Sequence, residues 1–200
     1  MSAHPTTIKL IEAFLTLSDA QGVDRVTVQD VLRASRVAKG SLYHHFGTFD
    51  HLVAAALAQK YAEGVERSIA MMNEILRRST TKQEFRAEVR WLVEQTSGLE
   101  TAAFRISRAK IIGKCATNGA LRRRVGEEQA RLSATLEAFL SEAQARSWVR
   151  QGIDVPAAAL LIQAYTFGKV IDDIALQPVE PAAWLALIEG LFESLFLSKD

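Results

Sequence analysis

Between Thr27 and Leu52 the chain sets three helix starts within 26 residues, and spacing that close leaves few folds open. Thr27 is placed to cap one helix by accepting from backbone N–H groups, and Asp30, three residues on, completes a capping-box-like pair. The helix that follows turns Val28, Val31 and Leu32 to one side. After a break at Ser35-Arg36, a second helix carries Val37, Leu42 and Phe46 inward and leaves Lys39, Gly40, Ser41, Tyr43 and His44 outward. Thr48 then caps a third helix. Two short helices across a tight turn, the second with small and hydrogen-bonding residues outward, form the helix-turn-helix arrangement, whose second helix enters a major groove.

The residue types on that outer face suit DNA. Gly40 has no side chain, so the helix can approach a phosphate backbone closely. Lys39 can reach a guanine edge or a phosphate, and Tyr43 offers a hydroxyl and a ring to the sugar-phosphate wall. His44 and His45 can donate to phosphates or base edges, and the helix N-terminus after Thr48 attracts an anion. Periodicity alone also admits three small structural helices with no DNA involved.

The segment Val37-Ala-Lys-Gly-Ser-Leu-Tyr-His-His-Phe46 closely resembles the recognition-helix signature of the TetR family of transcriptional regulators. The resemblance runs from residue 8 to about residue 56 and includes Gly22 and the Thr27-Val28 pair. It implies an all-α fold, with an N-terminal three-helix helix-turn-helix domain joined by a long helix to a C-terminal helical ligand-binding and dimerisation domain. It also implies DNA contacts from Thr27, Val28, Arg36, Ala38, Lys39, Gly40, Ser41, Tyr43, His44, His45 and Thr48. Four positions depart from the family pattern: Arg36 replaces a turn glycine, Ala38 a capping serine, Gly47 a common proline, and Phe49 a lysine that often meets phosphate.

The rest of the chain reads as helix. Proline stands only at 5, 156, 178 and 181, and no run keeps the period-two alternation of a strand. The expected helices cover 6–20, the two of the motif, 49–77, 82–97, 101–115, 120–147, 155–177 and 181–197. In the first, Ile8, Ile11 and Leu15 form one line, with Leu10, Phe14 and Leu17 beside it. The helix from Phe49 carries the stripe Leu57, Tyr61, Val65, Ile69 and Met72, and about 28 residues at 1.5 Å each span about 42 Å. Residues 1–50 are the expected DNA-binding domain and 51–200 the ligand-binding and dimerisation domain, the long helix acting as a lever between them.

The last two helices carry more apolar surface than one stripe needs. They fit either a helix buried on all sides or a pair that buries one face against a twofold mate, as the last two helices of the TetR family commonly do. Ile171, Ile174, Leu187, Leu191 and Leu195 are the expected interface. The family resemblance also implies a ligand cavity behind the long helix, with Tyr61, Trp91, Gln95, Phe104, Arg108, Phe139, Tyr165, Lys169 and Asp172 as candidates. That mixture suits an apolar or aromatic small molecule with a few polar anchors. Singly, each aromatic among them also fits ordinary core, and Asp172 and Asp173 beside Lys169 fit a surface patch.

Charge is unevenly placed. Residues 1–51 hold five basic residues (Lys9, Arg25, Arg33, Arg36, Lys39) and five acidic ones (Glu12, Asp19, Asp24, Asp30, Asp50). A neutral DNA-binding head depends on a few placed contacts, helix N-termini and doubling by a partner subunit. The segment 101–126 holds Arg105, Arg108, Lys110, Lys114, Arg122, Arg123 and Arg124 with no acidic residue. It fits a solvated face, a surface toward the head or the phosphates, or an anion site in which Arg105 and Arg108 look inward.

Enzyme signatures are missing: there is no nucleophile motif, no Gly-rich phosphate loop and no metal-ligand spacing, so neither metal nor cofactor is expected. Cys115 is the single cysteine, and no 18-residue uncharged apolar run occurs. The first 20 residues lack the pattern of a secretory signal, and a cytoplasmic protein is the expectation. The function expected is a homodimeric, ligand-responsive transcriptional regulator, most simply a repressor, that binds double-stranded operator DNA and is released by a small-molecule effector. A helical-bundle adaptor without sequence-specific DNA binding is the rival.

Overall fold

The structure is a computed structural model that describes residues 4–195. Its helices are α1 (Pro5–Gln21), α2 (Val28–Ser35), α3 (Lys39–Phe46), α4 (Phe49–Arg78), α5 (Lys82–Ser97), α6 (Ala102–Lys114), α7 (Gly119–Ala145), α8 (Val155–Gly168), α9 (Val170–Asp173) and α10 (Pro181–Leu195). Short 3-10 turns at Val23–Arg25 and Leu99–Thr101 precede α2 and α6. The architecture is all-α, with no β-strand among the described residues. No described helix is long and apolar enough to cross a membrane.

Capping chemistry explains most boundaries. The Thr27–Asp30 and Thr81–Glu84 boxes open α2 and α5, and the Asp154 carboxylate accepts the Ala157 N–H at 2.8 Å to open α8. Hydrogen bonds from Thr27 side chain and backbone hold the Asp30 carboxyl below the usual carboxylate range. Gly22 closes α1 at φ 89°.

One expected helix is divided. The span 155–177 breaks at Lys169, and α9 ends by Ile174. The side chains there bond away from the helix instead of being solvated. Asp172 accepts the Val179 N–H at 2.8 Å, and Asp173 is drawn to Arg105. Pro178 lies within the connection that follows and cannot donate to a continued helix.

The chain clusters into two compact units, one of residues up to Gly64 with Ile111–Glu127, the other of Val65–Lys110 and the residues from Glu128 on. In the first, α1 packs against α2 and α3 around Leu10, Phe14, Val31, Leu42 and Leu52, all fully buried. The Phe49 ring meets Phe14 edge-on, centroids 6.1 Å apart. Ile8, expected in the buried line of α1, is exposed; Leu10, Ile11 and Phe14 fill that core. Two ion pairs tie the unit together: Lys60 to Asp19, and Lys114 at the end of α6 to Asp24 at 2.5 Å.

In the second unit, Phe85 of α5 stacks on Trp148 at 5.2 Å and lies 5.7 Å from Phe139. Around them are Met72, Ile75, Val93, Leu136 and Leu140, all buried. Arg146 lies over the Trp148 ring and donates to the carbonyls of Leu76 and Ser79, which closes the end of α4.

Candidate nucleic-acid interface and ligand cavity

The face of α3 follows from what its neighbours bury. Leu42 is fully buried, while Lys39, Gly40, Tyr43 and His44 are exposed and Ser41 is half-buried. The Lys39 ammonium lies over the Tyr43 ring, 6.0 Å from its centroid. Thr27, at the start of α2, is exposed and Val28 half-buried. Thr48 Oγ1 accepts the His51 N–H at 3.2 Å, and His51 Nδ1 donates to the Phe46 carbonyl at 3.0 Å, fixing the turn between α3 and α4. The second helix start and its outer residues thus lie on one helix, supported from beneath by one deeply buried leucine.

The departures from the family pattern have the expected local consequences. Arg36 adopts φ 55° and ψ 29°, the left-handed conformation that a glycine takes without cost. Ala38 is the N-cap of α3 and gives no side-chain cap. Arg36→Gly should therefore stabilise the protein: about 1–2 kcal/mol of strain is relieved against about 0.5–1 kcal/mol of added unfolded-chain entropy. Urea unfolding of the two proteins measures the difference, and a less stable variant would show that the Arg36 side chain has its own stabilising contact.

Sequence reasoning overlooked His4. Its ring lies 4.7 Å from that of His45, which is 5.2 Å from His44, so the start of α1 brings a third imidazole to α3. His4 Nδ1 also caps α1 by accepting the Thr6 N–H. Burial first, then the neighbouring His4 and His44, hold His45 below the usual imidazole range. At neutral pH His45 is therefore an uncharged N–H donor.

The candidate ligand residues separate. Phe139 and Tyr165 line an apolar cavity of about 50 Å³ in the second unit, with Met72, Phe85, Val93 and Phe192. Burial pushes the Tyr165 hydroxyl up to about 12, so it stays a neutral donor. Trp91 and Gln95 are exposed, and Phe104 is exposed beneath Arg67, whose guanidinium lies 5.0 Å from the ring centroid. Tyr61 is buried in the first unit. Arg108 donates to Gln129 at 3.2 Å, and Gln129 joins Gln163 in a half-buried polar chain. Lys169 is buried against the Trp184 ring and paired with Asp172, whose carboxyl this bond and the Val179 N–H hold below the usual range.

Arg105 has its anion within the chain. Its side chain is 5% exposed, and it grips Asp173, 0% exposed, through Nε at 2.7 Å and Nη2 at 2.5 Å. The remaining donors go to the Thr96 carbonyl at 2.7 Å, Thr101 Oγ1 at 2.6 Å and the Gly98 carbonyl at 3.1 Å. Every direction of the guanidinium fork is used, so of the three readings of the basic segment the anion site does not hold for Arg105, which instead locks α6 to α9. Asp173 is correspondingly no surface residue. Arg122, Arg123 and Arg124 are exposed at the start of α7.

Residues 10–56 match the signature described as bacterial regulatory proteins, tetR family. Those residues carry the N-terminal signature of the TetR family. The chain shares its whole-length fold with solved structures at low identity. Salmonella enterica GusR is 20% identical with TM-score 0.69, covering 98% of this chain and 97% of that one. Reduced E. coli NemR is 18% identical with TM-score 0.70, over 98% and 99%. A transcriptional regulator from Saccharomonospora viridis, solved in complex with choline, is 14% identical with TM-score 0.69, over 96% and 98%. No curated protein sequence matches the chain. The TetR signature covers α2, α3 and the turn between them, the segment in which the outward residues were placed.

Proposed function

We propose that this chain is a TetR-family transcriptional repressor that binds operator DNA as a homodimer and is released by a small molecule. The observation that carries the proposal is α3, which holds Lys39, Gly40, Tyr43 and His44 outward over a buried Leu42. Two such helices would read half-sites about 34–36 Å apart in successive major grooves. Lys39 reads a base edge or a phosphate. Thr27, Val28, Arg36, Ala38, Ser41, Tyr43, His45 and Thr48 position the helix on the backbone. The DNA-binding domain is assigned to residues 1–50 and the ligand and dimer functions to 51–200, in the cytoplasm.

Two features support the dimer and the effector. Ile171, Ile174 and Leu187 are 73%, 73% and 67% exposed, an apolar surface that a monomer gains nothing by presenting to water. Leu191 and Leu195 are half-buried on the same α10. The small apolar cavity lined by Phe139 and Tyr165 supports a ligand site, as does the choline in the S. viridis structure. Ligand binding there weakens the DNA complex through α4, which belongs to both units. A coupling of about 1–3 kcal/mol releases an operator five- to 150-fold.

Selection of bound fragments from the source genome, followed by gel shift, tests the reading. A paired half-site at the stated separation supports it; binding with no sequence preference would leave a helical adaptor. Lys39→Ala should cost about 1–3 kcal/mol and relax preference at one base pair. Uniform weakening across sequences would put Lys39 on a phosphate. Tyr43→Phe should weaken binding with its preference intact.

A further inference from the structure

Three imidazoles meet at the outer side of α3, and His45 stands in the middle of them. Its ring is 4.7 Å from that of His4, at the start of α1, and 5.2 Å from that of His44. His4 and His44 are exposed and His45 is half-buried. His4 Nδ1 accepts the Thr6 N–H, so a neutral His4 carries its hydrogen on Nε2, free to donate outward. No three of the described His, Cys, Asp and Glu side chains are arranged to hold a metal ion. The charged groups of the surrounding helices are turned elsewhere. Lys39 lies over the Tyr43 ring, and Lys9 and Glu12 of α1 line a groove with Ala34 and Ser35 of α2. Asp30 of α2 is held by Thr27, Asp50 of α4 is exposed, and His51 of α4 bonds the Phe46 carbonyl. The groups that act on His45 are His4 and His44, with no carboxylate among them.

In the free protein a proton on His45 is disfavoured twice, by partial burial and by two neighbouring rings that become like charges when protonated. A DNA phosphate against α3 reverses the balance. It brings the anion that no side chain of the protein supplies there, and an N–H donated by a charged imidazole makes the stronger kind of hydrogen bond. We infer that DNA binding takes up a proton on His45, and that His4, His44 and His45 together form an acid-strengthened clamp on the phosphate backbone; this rests on the DNA-binding reading above and adds His4 to its contacts. The clamp grips from two helices, because His4 belongs to α1 and the other two to α3. Phosphate is common to every sequence, so the clamp adds affinity without preference. Linkage is reciprocal: protonation strengthens DNA binding as much as DNA strengthens protonation. Affinity is therefore lowest in alkali, rises as the pH falls through the His45 midpoint of the complex, and levels off below that of the free protein.

The test measures dissociation constants of the full chain at constant salt from about pH 8 to about pH 6, where imidazoles change charge. Two probes are used, a mixed-sequence duplex and the operator recovered by genomic selection. Both should bind more tightly as the pH falls, by up to about tenfold per pH unit for one proton taken up. Imidazole signals followed by NMR should show His45 protonating about one pH unit or more higher in the complex than in the free protein. His45→Gln should remove most of the pH dependence. His4→Asn keeps a side-chain cap for α1 and removes the ring. It should raise the His45 midpoint of the free protein and flatten the affinity profile, which loss of a merely structural residue would not do. Affinity constant across the range, His45 titrating alike with and without DNA, a profile intact in His45→Gln, or His4→Asn titrating like the parent overturns the inference. The two readings fail separately. The same pH dependence on the mixed-sequence duplex, with no preferred site, leaves the clamp standing and removes the operator. A selected operator bound without proton uptake does the reverse.

Discussion

Asp173→Ala will lower the unfolding free energy by about 3–5 kcal/mol, because it leaves the buried Arg105 guanidinium without its anion. The two side chains are 5% and 0% exposed, and the pair is bidentate. Water cannot take the place of the lost carboxylate without opening the joint between α6 and α9. The reciprocal Arg105→Met should cost a similar amount, since it strands the carboxylate. The double variant Arg105→Met with Asp173→Leu should recover most of the loss, as apolar replacements of buried pairs commonly do. Urea unfolding of the four proteins forms a double-mutant cycle. Single variants within about 0.5 kcal/mol of the parent would mean that the pair is solvated in solution.

The second large effect concerns association. Leu187→Asp puts a charge on a side chain that is 67% exposed in the single chain, so the fold itself should be little affected. In a dimer that buries Leu187 with Ile171 and Ile174, the same charge would be desolvated against apolar partners. The variant should therefore be a folded monomer by light scattering. Its operator affinity should fall by about 100-fold or more, the avidity contributed by a second recognition helix. A dimer that persists in Leu187→Asp with Ile171→Asp would place the interface elsewhere.

Much of the head was legible in the sequence. The Thr27–Asp30 box, the Thr48 cap and the inward Leu42 are interactions within one helical turn, and each reads directly from residue spacing. Arg36 in place of a turn glycine and Ala38 in place of a capping serine were equally local readings; Arg36 is left-handed and α3 has no side-chain cap. The third histidine beside α3 was not legible. His4 lies 41 positions from His45, and only the packing of α1 on α3 brings them within 4.7 Å.

The cavity was less legible than the head. Phe139 and Tyr165 line it, but so do Met72, Phe85 and Phe192, which look in sequence like any other core residues. The helix expected over 155–177 divides because Asp172 and Asp173 find partners at Val179 and Arg105, and residue periodicity carries no information about such partners.

By itself, then, the sequence determined most of the helices, the Thr27 and Thr48 caps, the outward face of α3 and the apolar character of the C-terminal helices. Each of these depends on residues no more than about four apart or on the balance of apolar and polar positions. Tertiary structure alone decided that Arg105 is neutralised from within, that Glu189 pairs with Arg90, and which side chains line the cavity. Those outcomes join groups 68 positions apart across α6 and α9 and about 100 apart across α5 and α10. At such separations the partner is chosen by packing and by the electrostatics of desolvated charges, neither of which leaves a period in the chain.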